Sequence, residues 1–268
     1  MSDQPTEFLK AAIQSKILRG KRALILGIAN EHSIAYGCAR VFRQLGADLV
    51  VTYLNEKARP YVEPLANELG ASIFAPCDVG LDGELEAVFS QIRESWGSLD
   101  IALHSIAFAP KQDLQGRLID SSSEGFKVAM DISCHSFIRM ARLAEPLMPE
   151  GGTLLAMSYH GANKVVPNYN LMGPVKAALE SAVRYLAYEL GDKHIRVHAV
   201  SPGPLKTRAA SGLTDFDVLL TEAIERAPIG ELVDIDDVGL TAAYLTTPFA
   251  RRLTGTTTYV DGGLSIMA

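Results

Sequence analysis

The strongest constraint in this chain is an alternation that repeats along its length. Short runs that are apolar on both faces are followed by longer stretches with apolar residues at helical spacing. The strand-like runs cover 22–27, 48–53, 72–76, 101–105, 153–158, 195–201 and 257–260. Helices are expected over 33–45, 61–69, 82–96, 123–147, 171–190 and 235–246. In the first of these, Ile34, Ala35, Cys38, Val41 and Phe42 fall on one face. Strands without a polar face need cover on both sides. The pattern therefore predicts an α/β fold, a doubly wound, seven-stranded parallel sheet with helices on both faces. No Pro-rich or Gly/Ser-rich linker divides the series, so a single domain over 18–268 is expected, behind a lead-in of 1–17. The weakest order is expected over 202–230, where Pro202, Gly203 and Pro204 precede a stretch without clear period. Such a segment inside a compact α/β domain is typical of a lid or binding loop.

Charge and cysteine content exclude several classes. Lys plus Arg is 25 against 31 Asp plus Glu, a net charge of -6, which argues against a nucleic-acid binder. Cys38, Cys77 and Cys134 are odd in number and widely spaced. They form neither a disulfide framework nor a zinc motif and read as buried thiols of a reducing compartment. The histidines lack the grouping of metal ligands. The opening MSDQPTEFLK has no basic and apolar signal regions, and no run approaches the roughly 20 apolar residues of a membrane span. A soluble, cytoplasmic protein is expected.

The chemistry gathers at the strand ends. Strand one runs into Gly27-Ile-Ala-Asn-Glu-His-Ser33-Ile34. A small residue lets the backbone turn, Ser33 can cap the next helix, and that helix start favours an anion such as a phosphate. An ordinary strand–helix turn with a serine cap has the same sequence, and the full G-x-G-x-x-G is absent. Strand two ends at Leu54, where a dinucleotide-binding chain often has an acid for the ribose. Lys57 or Arg59 can meet a 2′-phosphate or serve as solvated charges. Asp78 and Val79 follow strand three, where an acid can bind an adenine amino group or cap a helix. His104-Ser105-Ile106-Ala107 ends strand four.

Ser158-Tyr159 ends strand five, Tyr169 follows, and Lys176 completes a Tyr-x6-Lys spacing. Short-chain dehydrogenases commonly use Tyr-x3-Lys, which would need tyrosine where Met172 stands. A ketone reductase protonates the oxygen on the carbon that takes the hydride. In an enoyl thioester the hydride enters at the β-carbon while charge develops on a more distant oxygen. A tyrosine set further from its lysine suits that separation.

With these residues the chain resembles the enoyl-acyl-carrier-protein reductase family, the NAD(P)H-dependent branch of the short-chain dehydrogenases, from about Leu18 to Met267. The resemblance rests on Gly27-x5-Ser33-Ile34-Ala35-Tyr36-Gly37, Cys77-Asp78-Val79 and His104-Ser105-Ile106-x-Phe108-Ala109-Pro110. It continues through Ser158-Tyr159, Pro167-Asn168-Tyr169-Asn170-x-Met172-Gly173, Lys176, Ala209-Ala210-Ser211-Gly212 and Val260-Asp261-Gly262-Gly263.

The resemblance implies a Rossmann-type domain that reduces trans-2-enoyl thioesters on acyl carrier protein in fatty acid biosynthesis. It implies that Tyr169 binds the thioester oxygen, with Tyr159 beside it, and that Lys176 holds the nicotinamide ribose. Gly27, Ser33, Ile34, Leu54, Asp78, Val79 and Ile106 would line the cofactor. Leu205, Lys206, Thr207, Arg208 and Ala209 would form its phosphate and nicotinamide stretch. Ala109 would touch substrate, and residues 206–216 would form the substrate loop. A homotetramer is implied, with contacts through the helix over 123–147 and the one after Tyr169. NADH is the expected cofactor and NADPH the lesser alternative, since Leu54 stands where some relatives carry glutamine. Ala107 replaces a frequent glycine, and Pro174 places the helix start near Gly173. Two rivals remain: a related ketone or 3-oxoacyl reductase, which Met172 opposes, and a non-catalytic dinucleotide-binding protein, which the Tyr159, Tyr169, Lys176 set opposes.

Overall fold

The computed structural model describes residues 16–205, 207 and 216–267. Seven strands, β1 (Arg22–Leu26), β2 (Asp48–Tyr53), β3 (Ile73–Pro76), β4 (Ile101–His104), β5 (Gly152–Met157), β6 (Ile195–Pro202) and β7 (Thr256–Val260), form one sheet. Its order is β3-β2-β1-β4-β5-β6-β7, and every pairing is parallel. The chain therefore winds outward through β2 and β3, then crosses back to β4, with the reversal between β1 and β4.

Helices α1 (Ile34–Gln44), α2 (Arg59–Glu68), α3 (Glu84–Trp96), α4 (Lys111–Gln115), α5 (Ser123–Met130), α6 (Ser136–Ala144), α7 (Met172–Glu189), α8 (Phe216–Arg226) and α9 (Ile235–Thr246) connect the strands. Successive strand residues bury opposite faces. Leu24, Leu26, Ala102, Leu154, Ala156 and Val197 pack with α3, α6 and α7. Ala23, Ile25, Leu49, Ile101, Leu103 and Leu155 pack with α1, α2 and α9. The central apolar runs are strands because both of their faces are core, while the edge strands β3 and β7 are only partly covered.

Several expectations are corrected. The stretch 123–147 is not one uniform α-helix: a π turn, Asp131–His135, separates α5 from α6, and a short 3-10 turn ends it. The small polar residues Ser133 and Ser136 break the apolar period there; Ser136 bonds to His104 at the β4 end and Ser133 to Phe108 in the loop beyond it. Within 202–230, expected to be weakly ordered, Phe216–Arg226 is helical, with Leu220 and Ala223 buried. Helix α4 lies in a segment with no expected element. Lys16–Gly20, across the end of the lead-in and the start of the domain, forms turns, and residues 1–15 lie outside the described set. The cysteines are free and buried.

The first and last helices meet through glycine. A Cβ on Gly37 would lie 2.3 Å from the carbonyl oxygen of Ile235, and one on Gly239 would lie 2.8 Å from the carbonyl oxygen of Gly37. Asp234 caps α9 by accepting from the amides of Asp236 and Asp237, and Asp237 returns the bond to the Asp234 amide. Arg40 on α1 then grips Asp236 with two nitrogens. Overpacking a fixed contact costs about 1–3 kcal/mol, so Gly37→Ala should lower unfolding stability by at least about 1 kcal/mol. Urea denaturation checks this, and an unchanged midpoint contradicts the contact.

Candidate active site

The site lies along the C-terminal edge of the sheet, where strand order reverses and open α/β sheets leave a crevice. Gly27 ends β1 with φ of 105°, in a region that disfavours side chains. A Cβ there would sit 2.2 Å from the carbonyl oxygen of Ser105. Only a glycine lets β1 and β4 approach so closely at the crevice mouth.

Ser33 precedes α1, but its side chain does not cap the helix as the sequence suggested. Its Oγ turns back and accepts from the amides of Ala29 and Asn30, at 3.0 and 3.1 Å. The Ser33 carbonyl accepts from Tyr36 and Gly37. The amides of Ile34 and Ala35 belong to the helix's first turn, which has no intrahelical acceptors for them. That leaves donors at the positive end of the helix dipole, suited to a phosphate. His32, Pro204, Leu205, Val233 and Asp234 line a groove beside it.

At the β2 end, Leu54 is half exposed and apolar. Arg59 is not a loose cation: it lies 3.5 Å from Glu56 and 3.2 Å from Glu63, with its guanidinium over Tyr53. Lys57 is exposed. Asp78 neither caps a helix nor stands alone. Its Oδ1 accepts from Gly80 at 2.9 Å, and its amide donates to Glu84. Val79 is buried, and its carbonyl accepts from Arg139. Ile106 is half-buried against the core, and Ala109 is buried. Leu205 packs against the other core, and the Thr207 amide donates to the Leu205 carbonyl at 2.8 Å. Lys206, Arg208 and Ala209 lie outside the described residues, as does most of 206–216.

Tyr159 and Tyr169 meet edge to face, their ring centroids 4.8 Å apart. Tyr169 does not lie on α7. It occupies the turn before it, between Asn168 and Asn170, whose φ values are 63° and 41°. Asparagine tolerates this left-handed region better than most side chains. The Asn170 amide group donates to the carbonyl of Leu114 at 3.0 Å, tying the turn to α4. Underneath, a Cβ on Gly161 would lie 2.6 Å from the Tyr169 ring. Burial pushes both phenols upward in pKa, so both are neutral hydrogen-bond donors near pH 7.

Lys176 lies in the second turn of α7, after Pro174 in the first turn, where proline is tolerated. Its ammonium is buried and donates to the Met157 carbonyl at 2.7 Å. Burial pulls its pKa down to about 8, so it is still predominantly cationic at pH 7. One bond leaves two further N–H donors, which suits a pair of ribose hydroxyls. The bare amides at α1 fit a dinucleotide's pyrophosphate, and this buried ammonium fits a ribose beside it.

Sequence reasoning missed the supports. His104 is fully buried, and its Nε2 lies 2.7 Å from Ser136 Oγ. Ser136 Oγ donates to the Ile132 carbonyl, so it accepts from His104, which fixes the Nε2–H tautomer. Burial holds His104 neutral, with a pKa of about 3. Ser133 in the π turn clamps both backbone groups of Phe108, at 2.8 and 3.0 Å. The interruption of apolar period at Ser133 and Ser136 was the available signal.

The chain is similar along most of its length to known reductases. The family model described as Enoyl-(Acyl carrier protein) reductase matches residues 27–265. The NADH-dependent enoyl-[acyl-carrier-protein] reductase of Aquifex aeolicus is 48% identical, with 94% of this chain and 93% of that protein covered. The enoyl-(acyl-carrier-protein) reductase of Anaplasma phagocytophilum, solved with NAD, aligns with a TM-score of 0.90 at 44% identity, covering 94% of this chain and 96% of that one. The Bacillus cereus enzyme, solved with NADP+ and indole naphthyridinone, gives 0.92 at 42%, covering 94% and 99%. With a family match over residues 27–265 and 48% identity to one such reductase across 94% of its own length, the chain belongs to the enoyl-(acyl carrier protein) reductase family.

Proposed function

We propose that this chain reduces trans-2-enoyl thioesters carried on acyl carrier protein, with NADH as reductant, as a cytoplasmic enzyme of fatty acid biosynthesis. The observation that carries the reading is the neutral Tyr169 phenol against Tyr159, in the turn that leads into the helix bearing the buried Lys176 cation. When bound, the dihydronicotinamide supplies the hydride that enters the substrate β-carbon. Tyr169 donates a hydrogen bond to the thioester oxygen, where negative charge collects in the enolate. Tyr159 packs against its ring and closes that side of the substrate. Lys176 binds the nicotinamide ribose through its free N–H donors, and its charge eases proton movement at the site. The final proton reaches the α-carbon from water.

Gly27, Ser33, Ile34, Asp78, Val79, Ile106 and Leu205 serve the cofactor, and Ala109 the substrate. Lys206, Thr207, Arg208 and Ala209 complete the cofactor stretch, with 206–216 as the substrate loop of a domain spanning 18–268. The preference for NADH rests on Leu54 and on the engagement of Arg59 by two carboxylates, which leaves it poorly placed for a 2′-phosphate. A homotetramer is part of the reading. Phe126 and Ile138 on α5 and α6, and Tyr185 and Tyr188 on α7, are exposed and supply apolar contact surface. Among the described residues, no helix is long and apolar enough to cross a membrane.

Absorbance at 340 nm tests the reading with crotonyl and acetoacetyl thioesters and both cofactors. Oxidation of NADH by the crotonyl thioester supports it. Turnover of acetoacetyl thioester alone, or of neither, overturns it. Removing an oxyanion donor typically costs on the order of 10²-fold, so Tyr169→Phe should lower kcat/KM by about that factor. Lys176→Ala should raise the NADH dissociation constant about tenfold or more, the value of one lost charged hydrogen bond. Fluorescence titration checks it, and parental affinity contradicts the assigned role. Gly161→Ala should displace the Tyr169 ring and lower kcat on the order of tenfold or more, since small misplacements at a reacting centre are costly. Steady-state kinetics on the folded variant reads this, and an unchanged kcat refutes the steric role.

A further inference from the structure

Glu180 lies one turn beyond Lys176 on α7 and is 4% exposed. A buried carboxylate is expensive unless its oxygens are satisfied. Ser158 Oγ donates to its Oε1 at 2.6 Å, and Asn163 Nδ2 approaches its Oε2 at 3.2 Å. Among the described residues no ion pair joins Glu180 to a cation. Its two partners instead bracket the segment 159–162. Ser158 precedes Tyr159 at the end of β5. Asn163 follows the 3-10 turn His160–Ala162 and also donates to Tyr259 Oη on β7, at 2.9 Å.

The bracketed segment contains both elements that set the phenol pair. Tyr159 is one of the two rings, and Gly161 is the surface on which the other, Tyr169, rests. The backbone bonds of the turn are local: the Ala162 amide donates to Tyr159, and the Asn163 and Lys164 amides donate to His160. Glu180 is thus the point at which a helix holds both ends of a short, half-buried turn through side-chain hydrogen bonds.

We propose that Glu180 is a positioning residue, a hydrogen-bonding clamp that, through Ser158 and Asn163, fixes Tyr159 and the Gly161 platform under Tyr169. The inference rests on the reading of Tyr169 as the group that meets the thioester oxygen. Glu180 touches neither substrate nor cofactor. Its effect reaches the reaction through the placement of the two rings, so its loss acts on kcat rather than on NADH binding. Hydrogen bonding rather than charge is what the clamp requires. A glutamine can replace the carboxylate if the Asn163 amide turns over and presents Oδ1 both to it and to Tyr259.

The test compares Glu180→Leu, Glu180→Gln and Ser158→Ala with the parent enzyme and with Tyr169→Phe, on crotonyl thioester. Glu180→Leu should lower kcat about tenfold or more while the NADH dissociation constant stays within about threefold. Glu180→Gln should restore kcat to within about threefold of the parent. Ser158→Ala, which removes one bond and little volume, should lower kcat about fivefold and carries the test if Glu180→Leu does not fold. A folded Glu180→Leu or Ser158→Ala with parental kcat overturns the proposal. So does a Glu180→Gln as impaired as Glu180→Leu, since charge would then be the requirement. If Tyr169→Phe retains full activity, the underlying assignment of Tyr169 fails instead, and the two failures are distinguishable.

Discussion

Lys176 is a cation held out of water, with the carbonyl of Met157 as its acceptor. Burying an ammonium is unfavourable unless protein groups replace its hydration. That single requirement ties α7 to the end of β5. The chain leaves β5 through Ser158 and Tyr159, and it must return to α7 within about a dozen residues. The return carries Tyr169 in a turn bent by two left-handed asparagines, over a glycine that gives the ring room. Strand end, turn and helix start thus act as one unit, which places a phenol and an ammonium along the same crevice.

The sequence spacing of these two groups suits the reaction proposed for them. Hydride arrives at one carbon, while charge accumulates on an oxygen beyond the neighbouring carbon. A phenol at position 172 would stand on α7 itself, four residues before the lysine. That position holds buried Met172, part of the core under the site. Tyr169 precedes the helix, so the longer reach comes from the turn geometry and not from rise along a helix axis. At the other end of the crevice, Ser33 bonds back to its own loop and leaves the first helical amides to an anion.

The fold was readable in the sequence because burial on both faces leaves no ambiguity in period: Leu24 and Ile25, or Leu154 and Leu155, face opposite cores. The candidate site was legible where chemistry points to a residue type, as in the proposed roles of Tyr169 and Lys176. What escaped depends on contacts between distant segments. The π turn exists because Ser133 and Ser136 satisfy Phe108 and His104, partners that lie about 25 to 32 positions earlier in sequence. The cap expected from Ser33 failed because its hydroxyl found nearer amides. Gly161 looks like any loop glycine until the Tyr169 ring is set upon it. Helix α8 was obscured by its weak apolar period, although Leu220 and Ala223 do reach the core.

A crystal structure of the enzyme with oxidised cofactor and a non-reactive enoyl thioester analogue tests the central claim most directly. The account predicts Tyr169 Oη within hydrogen-bond distance of the thioester oxygen, Lys176 Nζ on the ribose hydroxyls, and the Tyr159 ring still against Tyr169. A Tyr169 phenol turned away from the thioester, with another group on that oxygen, would contradict it.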